Sequence, residues 1–213
     1  KSMSKSALMK MSHTTPSYSC RMNEHTMMSW DGTGLFYRTW HPPGERRNKA
    51  VVVLHGGHEH SGRFDELVHQ LGLEDASVFA WDARGHGRSP GIRGHARHFN
   101  DFVRDADMFI RHVSEKYGIH TEDMVLLGHS VGSVIICTWL LDYARPVRGA
   151  IIGSPAFQVK LYVPLALPAL RLLQRMVPGA SVRSYVRPGF LTHDRGEAEA
   201  RRSDDLISAR ISV

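Results

Sequence analysis

The stretch MVLLGHSVGSVIICTWLLDY, residues 124–143, decides the fold. Met124–Leu127 is a short apolar run of strand character, and Val131–Tyr143 is long and apolar enough for a helix covered on several sides. Between them stands Gly128-His129-Ser130-Val131-Gly132. A G-x-S-x-G turn that leaves a strand and opens a helix is the nucleophile-elbow pattern. The turn lifts the Ser130 hydroxyl clear of the sheet, and Gly128 and Gly132, lacking Cβ atoms, let strand and helix close on each other. The Val131 N–H falls at the helix N-terminus, where unpaired donors and the helix dipole favour negative charge. That N–H is placed to stabilise an oxyanion.

Working outward, the same alternation recurs. Ala50–Leu54 is a continuous β-branched run, as in a strand buried on both faces. A helix is expected from Ser61, acting as its cap, to Leu71, with Phe64, Leu67, Val68 and Leu71 at helical spacing. Ser77–Trp81 reads as a strand. Asn100–Tyr117 reads as a helix with Phe102, Val103, Ala106, Phe109, Ile110 and Val113 on one face, and Val147–Ile152 as a further strand. Upstream, His25–Trp30 and Gly34–Trp40 read as strands around an Asp31–Gly34 turn. The β-α-β-α-β-α-β order over residues 50–153 predicts an α/β fold with a mostly parallel sheet and helices on both faces.

Two further motifs follow strands. His55-Gly56-Gly57-His58-Glu59-His60-Ser61 leaves the buried strand, and its glycines allow close backbone approach, so Gly57 is the candidate for a second oxyanion N–H. Its histidines lack the H-E-x-x-H spacing that sets two ligands on one helix face, and no metal or cofactor is expected. Asp82-Ala83-Arg84-Gly85-His86-Gly87-Arg88-Ser89 reads as a structural loop held by an internal ion pair.

The 213 residues suit one domain with a substantial core. Lys plus Arg is 27 and Asp plus Glu 21, a net charge of +6, which without a motif does not argue for nucleic acid. Two cysteines, Cys20 and Cys137, exclude a disulfide framework. Cys137 is expected to be a buried free thiol, which fits a reducing, cytoplasmic setting. No apolar run reaches the ~20 residues of a membrane span; Leu161–Leu173 is broken by Pro164, Pro168 and Arg171. Three segments are expected: a disordered leader at 1–23, a core at 24–156, and a cap at 157–213. The leader is rich in Ser, Met and Lys, and the sequence opens at Lys1 rather than Met. Residues 157–193 hold Lys160, Arg171, Arg175, Arg183 and Arg187 with no acid. Helices are expected from Pro168 through Val177 and over Gly196–Arg202. This basic, apolar stretch suits an anionic lipid surface as well as it suits packing on the core with arginines in water.

Together, HGGHEHSGR (55–63), WDARGHGRS (81–89) and GHSVG (128–132) resemble the α/β-hydrolase superfamily, in its monoacylglycerol lipase and lysophospholipase branch, grouped with serine aminopeptidase S33 type domains. LYVPLALPALRLLQR and SYVRPGFLTHDR, within 161–195, resemble that branch's lid. The resemblance implies a serine nucleophile at Ser130, oxyanion donors at Gly57 and Val131, an acyl-enzyme mechanism and a single-chain lipid ester as substrate. It also implies a triad acid and His after two further strands, which this sequence does not contain. His193 is the sole histidine after Ser130, and Asp142, Asp194, Glu197, Glu199, Asp204 and Asp205 are the acids. None stands in the required context, so neither partner is assigned. The chain is expected to be a C-terminally truncated hydrolase, probing poorly as a catalyst alone. A non-catalytic relative that binds a ligand or partner, and a thioesterase or peptidase on the same fold, stand as alternatives.

Overall fold

The computed structural model describes residues 20–44, 48–158, 166–177, 180–183, 188–208 and 210–212. A hairpin opens the chain: β1 (Arg21–Met28) and β2 (Gly34–His41) pair antiparallel across a turn in which Asp31 Oδ1 accepts from Thr33 N. The first strand thus begins inside the segment expected to be a leader, whose residues 1–19 lie outside the described residues. β3 (Ala50–Leu54), α1 (Asp65–Leu71), β4 (Ser77–Trp81), α2 (Phe99–Tyr117), β5 (Met124–His129), α3 (Val131–Tyr143) and β6 (Gly149–Gly153) follow in the expected alternation.

The sheet has six strands in the order β1-β2-β4-β3-β5-β6. β3 runs parallel to β4 and β5, and β5 parallel to β6, while the hairpin adds its strands antiparallel beside β4. One face is covered by α2 and α3, whose Val103, Phe109, Ile110, Ile136 and Trp139 are buried with Leu54, Trp81 and Leu126. α1 and the turn before it cover the other face, with Val68 and Phe64 against Trp40, Val53 and Val78. β3 and β4 are continuous apolar runs because both their faces are covered.

Local details differ from expectation for physical reasons. The helix after β3 is capped by His60, whose Nδ1 accepts from Gly62 N, and Ser61–Phe64 is a 3-10 turn leading into α1. Ser61 instead donates its N–H to Asp82 Oδ1 at 2.6 Å. Asp82 therefore serves backbone donors, accepting also from Arg88 N at 2.8 Å, and makes no pair with Arg84. Arg84 reaches Asp105 on α2 and Asp31 in the hairpin turn. Cys137 is a free thiol but half-buried rather than buried.

In the segment expected to be a cap, residues 157–213, α4 spans Ala166–Met176, starting before Pro168, and α6 spans Arg195–Arg202 with Asp194 accepting from Gly196 N and Glu197 N. Sequence reading gave no sign of α5 (Pro188–Leu191) or of the ribbon of β7 (Ser181–Arg183) and β8 (Arg210–Ser212). Of the lid-like stretch, residues 161–165, 178–179 and 184–187 lie outside the described residues.

Candidate active site

The strand order reverses direction at β3: β4 is added on one side and β5 on the other. In an open α/β sheet such a switch point leaves a crevice beyond the strands' carboxyl ends. The loops leaving β3 and β5 meet there, in register, with Leu54 beside Gly128. Thus His55–Gly57 and Ser130 become neighbours through strand pairing.

Ser130 has φ 53° and ψ −113°, a left-handed conformation costly for a residue with a Cβ. The surrounding structure holds it there. Ser130 N donates to Gly153 O at 2.9 Å, and the Ser130 carbonyl accepts from Ala156 N at 3.3 Å. The Ser133 hydroxyl also donates to Gly153 O at 2.9 Å. Both flanking glycines are sterically required. A Cβ at Gly128 would stand 2.7 Å from Ser133 N, and one at Gly132 2.1 Å from the Leu54 carbonyl oxygen.

Val131 is the first residue of α3, so its N–H has no intrahelical partner. Gly57 faces it across the crevice: a Cβ there would meet Val131 Cγ2 at 3.8 Å. Neither the Gly57 nor the Val131 N–H finds an acceptor among the described residues. Gly56 lies deeper. A Cβ on it would stand 3.1 Å from both Glu59 Oε2 and His129 Nδ1 and 3.2 Å from Ser130 Cβ. The motif segments after β3 and β5 therefore converge on one point.

Glu59, read from sequence as loop, is the hub of that point. Its Oε2 accepts from Gly56 N at 3.1 Å and faces His129 Nδ1 at 3.3 Å, while Oε1 pairs with Arg201 of α6 at 3.1 Å. Burial works against ionisation, but His129 and Arg201 outweigh it and hold the Glu59 carboxyl down at about 2. The hydrogen bond to Glu59 in turn raises the His129 imidazole. Two more pairs join the loop to the cap: Arg63 with Glu197 at 2.6 Å and His60 with Asp204 at 2.8 Å. Arg201 also donates to the His58 carbonyl, fixing a residue at φ 60°. No local signal in the sequence points to these ties, because their partners lie more than a hundred positions apart.

The histidines of the two motif segments have separate roles. His55 is buried and bonded to backbone, His60 caps a turn, and His129 faces Glu59. None of the described residues hydrogen-bonds Ser130 Oγ. His193 lines a groove with Gly189, Thr192, Asp194, Ala198 and Glu199, all cap residues. Asp142 is exposed near the far end of α3. The site thus brings together a strained serine, the Gly57 backbone and the first residue of α3, whose N–H groups have no acceptor among the described residues.

The profile of the family described as "Serine aminopeptidase, S33" matches residues 45–213. YnbC of Escherichia coli K12 is 44% identical over 89% of this chain, which spans 32% of YnbC. The monoglyceride lipase of Rattus norvegicus is 33% identical over 85% of this chain, which covers 59% of that protein. Among solved structures, the monoacylglycerol lipase of Paleococcus ferrophilus superposes with a TM-score of 0.68 at 25% identity, over 91% of this chain and 66% of that one.

Proposed function

The chain belongs to the α/β-hydrolase family described as serine aminopeptidase S33, and on that footing we propose that it is a serine carboxylic-ester hydrolase of monoacylglycerol lipase or lysophospholipase type. The observation that carries this reading is Ser130 at φ 53° beside Gly57 and Val131, whose backbone N–H groups find no acceptor among the described residues. Ser130 Oγ attacks the ester carbonyl carbon as its proton passes to a base. The carbonyl oxygen, now an oxyanion, takes hydrogen bonds from Gly57 N and Val131 N. The intermediate collapses to an acyl-Ser130 ester, and the glycerol-bearing alcohol leaves with the proton. Water then attacks the acyl-enzyme and releases the fatty acid. A base and its acid are also needed, and none of the described residues fills either role. The 213-residue chain alone then turns over slowly.

The cap supports a lipid substrate. α4 exposes Leu172 and Met176, one helical turn apart, beside Arg175, and Phe157 is also exposed. That combination suits peripheral contact with an anionic lipid surface. No helix among the described residues is long and apolar enough to cross a membrane. Cys20 and Cys137 are free thiols, which suits the cytoplasmic reading.

The test is labelling by a fluorophosphonate probe, with fatty-acid release from monoacylglycerol and lysophospholipid, in the product of the full reading frame and in its Ser130→Ala variant. Labelling and release that both vanish in Ser130→Ala support the proposal. Equal labelling in the variant overturns it. That none of the described residues hydrogen-bonds Ser130 Oγ favours one other reading, a ligand-binding relative without catalysis, and a product that binds monoacylglycerol without turnover would establish that instead.

A further inference from the structure

The oxyanion donors differ in how they are fixed. The Val131 N–H is held by the helix that it begins. The Gly57 N–H belongs to a loop peptide between two glycines, the units with the greatest backbone freedom. Something must set the plane of that peptide, because a flip would turn the carbonyl of Gly56 toward the crevice and the N–H away from it.

His55 has the geometry to do so. Its ring is buried, with the His86 ring tilted against it at 5.1 Å between centroids. The Ala83 N–H points at His55 Nε2 at 2.9 Å. A backbone N–H can only donate, so Nε2 must be an acceptor and carry no proton. That excludes the imidazolium and the Nε2–H tautomer together. The remaining proton sits on Nδ1, which lies 2.6 Å from the Gly56 carbonyl oxygen and donates to it. The peptide between Gly56 and Gly57 is trans, so its N–H points opposite to its C=O. On the other side of Gly56, its own N–H is held by Glu59 Oε2.

We propose that His55 is a positioning residue: Ala83 N–H fixes its Nδ1–H tautomer, Nδ1–H anchors the Gly56 carbonyl, and the Gly57 N–H is thereby aimed at the oxyanion of a substrate on Ser130. The proposal rests on the oxyanion reading of Gly57 given above. It ties the loop after β4 to the loop after β3 through one imidazole. His55 touches neither Ser130 nor substrate and moves no proton.

Two measurements test it. The first needs no activity: nitrogen NMR of the histidine-labelled 213-residue chain reads which ring nitrogen of His55 bears the proton. Protonated Nδ1 with bare Nε2 is expected, and the reverse, or an imidazolium, overturns the proposal. The second compares fluorophosphonate inactivation of Ser130 in the full gene product with two variants. His55→Asn places an amide nitrogen where Nδ1 stood and keeps the donor to Gly56. His55→Gln keeps an acceptor for Ala83 N and loses that donor. The limiting inactivation rate should fall by about 10²-fold in His55→Gln, the scale of a lost oxyanion donor, with the probe's saturation constant unchanged, while His55→Asn stays within a few-fold of the parent. Equal loss in both variants marks a packing role and overturns the proposal, as does an unaffected His55→Gln. A parent protein whose Ser130 never labels refutes the hydrolase reading, and the tautomer then decides the proposal about His55 by itself.

Discussion

Replacing Gly132 with alanine sets two physical effects against each other. Gly132 is the second residue of α3 and lies outside the left-handed region, so propensity alone favours alanine by about 1 kcal/mol. The steric effect has the opposite sign. The added Cβ would stand 2.1 Å from Leu54 O and 2.6 Å from His55 O. A carbon normally meets a carbonyl oxygen at about 3.3–3.6 Å, so α3 must move away from β3 by roughly 1 Å. Both atoms belong to the backbone at the end of a central strand and cannot swing aside. Overpacking a rigid core costs about 1–3 kcal/mol, and this site belongs at the upper end. The net is a loss of about 2 kcal/mol, which at an m-value of roughly 2 kcal/mol/M lowers the urea midpoint by about 1 M. The control is Gly57→Ala, whose Cβ makes only a 3.8 Å contact with Val131 Cγ2 and should leave stability within about 0.5 kcal/mol. Equilibrium urea unfolding of the three proteins, followed by tryptophan fluorescence, is the assay. A Gly132→Ala midpoint equal to or above that of the parent would refute the claim that close contact, rather than helix propensity, selects glycine here.

Three other perturbations follow from the same structure. Asp105→Asn leaves Arg84 partly buried without its main anion and should cost about 3–5 kcal/mol in urea unfolding; a loss below 1 kcal/mol would remove the pair from the list of fold determinants. Glu59→Gln should bring the His129 pKa down toward 6.5 in a proton NMR titration, since Glu59 is the main cause of its elevation. The lowered Glu59 contributes stability above pH 4.5 that is lost as pH falls toward 2, and the raised His129 contributes below 6.5 and loses its share as pH rises through its folded value. The pair therefore contributes most between these limits, and an unmoved His129 titration in Glu59→Gln argues against it. Arg201→Ala should speed amide exchange over Arg195–Arg202 by about fivefold, the equivalent of 1 kcal/mol, while leaving β3 and β5 unchanged; a uniform rate change would mean that the ion pair does not tether the cap.

How much of this was legible in sequence depends on the range of the cause. Gly128–Gly132 can be read because a strand, a turn and a helix start are set by contiguous residues. β3 and β4 can be read because burial on both faces writes a continuous apolar run. The partners of Asp82 and Arg84 could not be read, although the two residues are two positions apart. Loop geometry sends Asp82 to the Ser61 and Arg88 N–H groups and Arg84 to α2, and proximity in sequence does not say which way either points. The cap ties lie at the other extreme. Glu59 with Arg201 and His60 with Asp204 are joined by the path of the chain, so neither residue carries a local mark. The ribbon of β7 and β8 is three residues a side, too short for alternation to show.

The register of three strands is what turns these scattered residues into one site. Leu54 beside Gly128 brings the ends of β3 and β5 level, and Val53 beside Ala80 brings β4 level with both. The loops that leave them then present His55 to Ala83, Gly57 to Val131, and Glu59 to His129. A slip of one residue between β3 and β5 would turn every side chain of one strand to the opposite face. The close packing of buried residues on both faces of β3 opposes that slip, so the core fixes where the loops after β3 and β5 begin. The same loop carries Glu59, which bonds Gly56 N and the cap's Arg201 at once. Any movement of α6 away from the core must therefore break an ion pair to the residue that holds the Gly56 N–H, which couples the position of α6 to the conformation of the loop after β3.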